Sequence, residues 1–97
     1  MDGYELKTTF YDDFTIAEAF GTKAIEDTYR RAFEEWKTNV VYITELVMVL
    51  NWKLWHHWNA GRTEMAELYD RLWKEADRWC CDNLKGEDLS YFYSTTD

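Results

Sequence analysis

The sequence predicts an all-α fold: a small antiparallel bundle of three main helices plus a short N-terminal helix, with aromatic-rich N- and C-terminal arms packed on it. Three observations carry this expectation. Proline is absent and only four glycines occur, so helices can run long and a glycine marks a real break. Apolar residues recur at helical spacing in three successive windows. Hydrophobic residues make up 46% and aromatics 19% of 97 residues, enough for one core and too few residues for two. No repeat, low-complexity tract or linker divides the chain, so residues 1–97 are expected to form a single helical domain.

The first segment, MDGYELKTTFYDDF, mixes aromatics with Thr and Asp, and residues 1–14 read as an irregular arm whose Phe10, Tyr11 and Phe14 dock on the helices. Thr15 precedes Glu18 by three, the spacing of a capping box, so a short helix is expected over 15–20. Gly21 can end it in a left-handed conformation, and Thr22 can cap the helix expected over 22–37. In that helix Ile25, Tyr29, Ala32, Phe33 and Trp36 form one stripe. The opposite face pairs Glu26 with Arg30, Asp27 with Arg31, Arg30 with Glu34 and Arg31 with Glu35 at i,i+4, which is the pattern of a solvated surface.

Asn39 offers the next cap, and VVYITELVMVLNWKLWHHWNAG follows to Gly61. Its β-branched runs are compatible with strands. The absence of a turn signal and the line Val40, Ile43, Val47, Leu50, Leu54, Trp58 predict instead one helix over 39–60. Thr63 is the expected cap of the last main helix, 63–84, whose stripe is Met65, Leu68, Tyr69, Leu72, Ala76, Trp79 and Cys80. Glu67 with Arg71 and Asp70 with Lys74 support its outer face. Residues 87–97 then form a C-terminal arm. Its Leu89, Tyr91, Phe92 and Tyr93 are too apolar for a free tail and are expected to pack back or to bind something.

Composition narrows the function. The formal charge is −8, and the excess sits at the ends: residues 1–20 carry five acids against one base, and residues 82–97 four against one. Such a balance disfavours direct nucleic-acid binding and suits a basic protein partner. The start lacks a basic region followed by an apolar one, which argues against secretion and for a cytoplasmic protein. The most apolar window, between Lys37 and Lys53, contains Glu45 and is shorter than the ~17–25 residues that a spanning helix requires, so no membrane span is expected.

The stretch NWKLWHHWN, Asn51 to Asn59, holds three tryptophans and two histidines and is the first place to look for a site. On a helix, residues advance 100° each, so Trp52, Trp55 and Trp58 fan over about 120° and cannot all face one core. Val41, Met48 and Val49 also lie off the main stripe, so this helix is either covered on several sides or carries an exposed contact surface. His56 and His57 diverge by 100° and lack the i,i+4 spacing of a helical metal pair; Glu45 lies about 16 Å away along the axis. No metal or cofactor is expected, and the histidines read as exposed or partner-contacting groups near a helix C-terminus. Cys80 and Cys81 are adjacent, which fits neither a redox pair nor zinc-ligand spacing. No nucleophile-base constellation and no phosphate-binding glycine loop occurs, so the chain reads as a non-enzyme.

The segments TTFYDDFTIAEAFG, AIEDTYRRAFEEWK, ITELVMVLNWKLW and NLKGEDLSYFYSTTD together resemble short uncharacterised open reading frames of integrative elements and prophages in Gram-positive gut bacteria, over nearly the whole chain. The resemblance implies a mobile-element setting and carries no catalytic residues. Small acidic proteins of such elements include inhibitors of host defence, anti-CRISPR proteins among them, some of which mimic the charge of DNA. The expected function is therefore non-enzymatic binding of a basic, nucleic-acid-handling host protein, with an anti-defence inhibitor as its sharpest form. The alternative is a self-associating accessory protein for maintenance or transfer of the element, a homodimer built on the central helix. The partner-binding candidates are Val41, Met48, Val49, Trp52, Trp55 and His56, with Asp12, Asp13, Glu87 and Asp88 as steering charges.

Overall fold

Five helices follow one another in the computed structural model, which describes residues 5–96, with side chains from Phe10 onward. They are α1 (Glu5–Glu18), α2 (Thr22–Trp36), α3 (Val40–Asn59), α4 (Thr63–Asn83) and α5 (Gly86–Thr96). No strand occurs among the described residues. The three main helices are those the apolar stripes predict, each within a residue or so of its expected ends. The two arms are corrected: both are helical where described, while residues 1–4 and 97 of the expected arms lie outside the described residues.

The N-terminal helix forms because Phe10, Phe14 and Ala17, at i, i+4 and i+7, are all buried on one face. Thr15 does not cap. It sits inside α1, and its hydroxyl donates to the Tyr11 carbonyl one turn back, the usual alternative for a mid-helix Thr. The helix expected over 15–20 is thus the last turn of a longer one, and Phe20 lies beyond its end. Thr22 and Thr63 likewise fall inside their helices; Gly21 and Arg62 occupy the cap positions and no side chain bonds the exposed N–H groups there. Asn39 does cap α3, its side-chain oxygen accepting from the Tyr42 N–H at 3.2 Å.

Helix α3 is the axis of the fold and packs against each of the other four. Its Ile43, Leu46, Val47 and Leu50 are buried with Tyr29, Leu68, Tyr69, Leu72 and Cys80. The reversal between α3 and α4 uses Gly61 at φ 79°, a conformation that a side chain rarely adopts. The second reversal uses Gly86 at φ 58°, after which α5 is anchored by the buried Phe92.

The charged face of α2 is not the solvated ladder that its i,i+4 spacing suggests. Arg30 reaches Glu75, and Arg71 donates to Glu26 at 2.5 Å, so the expected pairs of Glu26 with Arg30 and of Arg30 with Glu34 are replaced by pairs that join α2 to α4. Asp70 with Lys74 does form, at 3.0 Å. These pairs are exposed and set the register of the two helices more than they stabilise it.

Candidate functional site

Two features of α3 stand out, and both lie in the stretch Asn51 to Asn59. The first is a set of exposed tryptophans: Trp52 is 45%, Trp55 52% and Trp58 54% exposed. Positions 41, 48, 52 and 55 are separated by seven, four and three residues, so Val41, Met48, Trp52 and Trp55 lie on one stripe of the helix. Val41 is exposed and Met48 half-buried. Val49 is corrected: it is fully buried and contributes to the core, because its side of α3 is covered. Trp58 is also displaced from its expected place beside Leu54, since it falls one turn later, where the chain already turns at Gly61.

The second feature is polar and buried. Lys53 and His57 are only 2% and 3% exposed, at i,i+4 on the face that meets α1 and α4. His57 is therefore not the exposed histidine that its place near a helix end suggests. Glu18 Oε2, at the end of α1, accepts from His57 Nε2 at 2.8 Å, from the Tyr69 hydroxyl at 2.7 Å and from Lys53 Nζ at 3.1 Å. Lys53 Nζ also donates to Thr15 Oγ1 at 2.6 Å and lies 4.1 Å from the centre of the Tyr11 ring, a cation–π contact. Arg62 Nε donates to His57 Nδ1 at 2.8 Å.

That last contact fixes the histidine. A guanidinium nitrogen can only donate, so Nδ1 carries no proton and Nε2–H points at Glu18. The imidazole is neutral, stacked on Tyr69 at 5.5 Å, and both of its nitrogens are occupied. Burial alone pushes the Glu18 carboxyl up, but the bonds from His57, Tyr69 and Lys53 together outweigh it and hold the group below its usual range. Burial, with the Glu18 bond, pushes the Tyr69 hydroxyl far up, so it remains a donor at any ordinary pH.

His56 is exposed, 3.3 Å from Arg62 Nη2 at its Nε2. Asp12 and Asp13 are exposed on α1, and Glu87 and Asp88 are exposed in the first turn of α5. Of the candidates, the structure brings Val41, Met48, Trp52 and Trp55 together and leaves the acids on two other helices. Sequence reasoning missed the network because its α1 groups lie 35 or more residues from those they meet on α3 and α4. The available signal was Lys53 and His57 at i,i+4 in line with the core residues Leu46 and Val49.

Cys80 is fully buried, and burial pushes its thiol up to about 12; Cys81 is half-buried and accepts from the Tyr93 hydroxyl at 3.7 Å. Among the described residues no group of three or more His, Cys, Asp or Glu is placed to hold a metal, and no helix is long and apolar enough to cross a membrane.

Comparison with known proteins leaves the chain without a match. No protein-family model, no curated protein and no solved structure matches it.

Proposed function

We propose that the chain is a non-enzymatic binding protein that grips a basic protein partner through the tryptophan stripe of α3. The observation that carries this reading is the pair Trp52 and Trp55, about half exposed on the same helix whose other faces supply the core. Tryptophans side by side on a folded surface lose little conformational entropy on docking and are enriched among residues that dominate binding energy. The exposed acids Asp12, Asp13, Glu87 and Asp88, within a formal charge of −8, would steer a basic surface toward the stripe.

The chemistry of the interior argues in the same direction. The His57 ring has no nitrogen left for proton transfer, and the Cys80 thiol is sealed in the core. In the mobile-element setting that the sequence resembles, the partner would be a nucleic-acid-handling protein of the host or element, and inhibition of a defence nuclease is the sharpest form of the proposal. Affinity capture with the wild type and with a Trp52→Ser, Trp55→Ser variant tests it. A basic protein retained by the wild type and lost by an equally stable variant supports docking through the stripe; retention by both overturns it.

Self-association is favoured by one observation, the continuity of Val41, Met48, Trp52 and Trp55, a surface that two copies could share about a two-fold axis. The charge of −8 opposes it through mutual repulsion. Light scattering at tens of micromolar separates the readings: a monomer at every salt concentration removes self-association.

A further inference from the structure

Below the tryptophan stripe, helices α3, α4 and α5 enclose an open cavity of about 420 Å³. Its walls include Trp52 from α3, Trp73 from α4, and Phe92 and Tyr93 from α5, with Met48 beside them. One carboxylate, Asp77, stands among these rings, one turn after Trp73 on the same face of α4. Among the described residues it has neither a hydrogen bond nor an ion pair. The cations that flank it on α4 are committed elsewhere: Arg71 to Glu26 at 2.5 Å, Lys74 to Asp70 at 3.0 Å and Arg78 to Asp82 at 3.8 Å. Burial pushes the Asp77 carboxyl up from its usual range, so the fold removes water from this group without supplying a replacement.

A ring-walled cavity with one uncompensated carboxylate selects an organic cation, which the ring faces and the charge attract together. Hard metal cations favour several charged oxygen ligands, and among the described residues this cavity sets one carboxylate beside the neutral side chains of Asn51, Thr95 and Thr96. A quaternary ammonium would satisfy the rings but has no N–H to offer the carboxylate. A guanidinium satisfies both, since its plane stacks on indole and phenol rings while its N–H fork bonds a carboxylate at two points.

We propose that this cavity receives the guanidinium of an arginine presented by the protein partner, with Asp77 as its counter-ion and Trp52, Trp73 and Tyr93 as stacking walls. This rests on the reading of the chain as a binder of a basic protein. Trp52 connects the two, because it belongs to the exposed stripe and to the cavity wall.

The test uses the isolated protein and needs no partner. In a ¹H–¹⁵N titration with N-acetyl-arginine amide, the indole N–H signals of Trp52 and Trp73 and the amide of Asp77 should move together. The neutral isostere N-acetyl-citrulline amide should bind on the order of tenfold more weakly, as should the arginine probe with Asp77→Asn, tenfold being the scale of one good charged contact. Citrulline binding as well as arginine overturns the proposal, even if the Asp77→Asn variant fails to fold. Equal binding of N-acetyl-lysine amide or tighter binding of tetramethylammonium overturns the choice of a guanidinium. If the probe binds while no basic protein is captured through Trp52 and Trp55, the cavity stands and the wider reading falls; the opposite pair of results removes the cavity alone.

Discussion

Replacing Glu18 with alanine should be among the most damaging single changes in the molecule. The Glu18 side chain is 16% exposed, and its Oε2 holds three donors from α3 and α4. Without it, the Lys53 ammonium stays buried with only the Thr15 hydroxyl and the Tyr11 ring for company. Breaking a buried pair by removing one partner costs about 3–5 kcal/mol. Against a total stability of about 5–15 kcal/mol for an ordinary domain, that is about a fifth or more. The melting temperature should fall on the order of 15–30 °C for a chain of this length. Urea unfolding followed by far-UV circular dichroism measures the loss. A paired substitution, Glu18→Leu with Lys53→Met, should recover most of it, because apolar groups of similar size often replace a buried ion pair without penalty. A cost below about 1 kcal/mol for Glu18→Ala, or a paired variant no more stable than the single one, would refute the account of the network.

Other consequences can be measured on the same protein. Because the folded Glu18 carboxyl lies below its ordinary 4.5, its contribution is complete above that value and is lost as pH falls through the lower, folded value; the stability gap between wild type and Glu18→Gln should close in that acid window. Asp77 has the opposite sign: its ionised form is the disfavoured one in the fold, so Asp77→Asn should leave stability at neutral pH unchanged or raised, read as a melting temperature no lower than wild type. A thiol reagent at pH 8 should label Cys81 in the native protein and both cysteines only in denaturant; rapid labelling of Cys80 would contradict its sealed position.

How far the sequence reaches is clearest at particular elements. Helices α2, α3 and α4 are legible because each carries a stripe at 3.6-residue spacing between visible breaks, and Gly61 marks a break that requires positive φ. Helix α1 is harder to read: Asp12, Asp13 and Thr15 have low helix propensity, and among the described side chains Phe10, Phe14 and Ala17 define the buried face that holds it helical. At α5 a single buried residue, Phe92, serves as anchor, which is too little for periodicity to register. Helical projection of the tryptophans correctly implies that they cannot share one core, but which of them are covered depends on where four other helices lie around α3. The polar network is hidden for the same reason. Glu18 has the spacing of a capping-box acid, and nothing local announces Lys53 and His57 as its partners 35 and 39 residues away.

A benzophenone side chain placed at position 55 of α3 tests the central claim most directly, with position 74 on the exposed face of α4 as its control. In cells that carry the gene, illumination should produce a cross-linked adduct with a basic protein from position 55 and none from position 74. An adduct from position 74 alone, or a second copy of this chain as the species captured at position 55, would contradict docking of a basic partner on the tryptophan stripe.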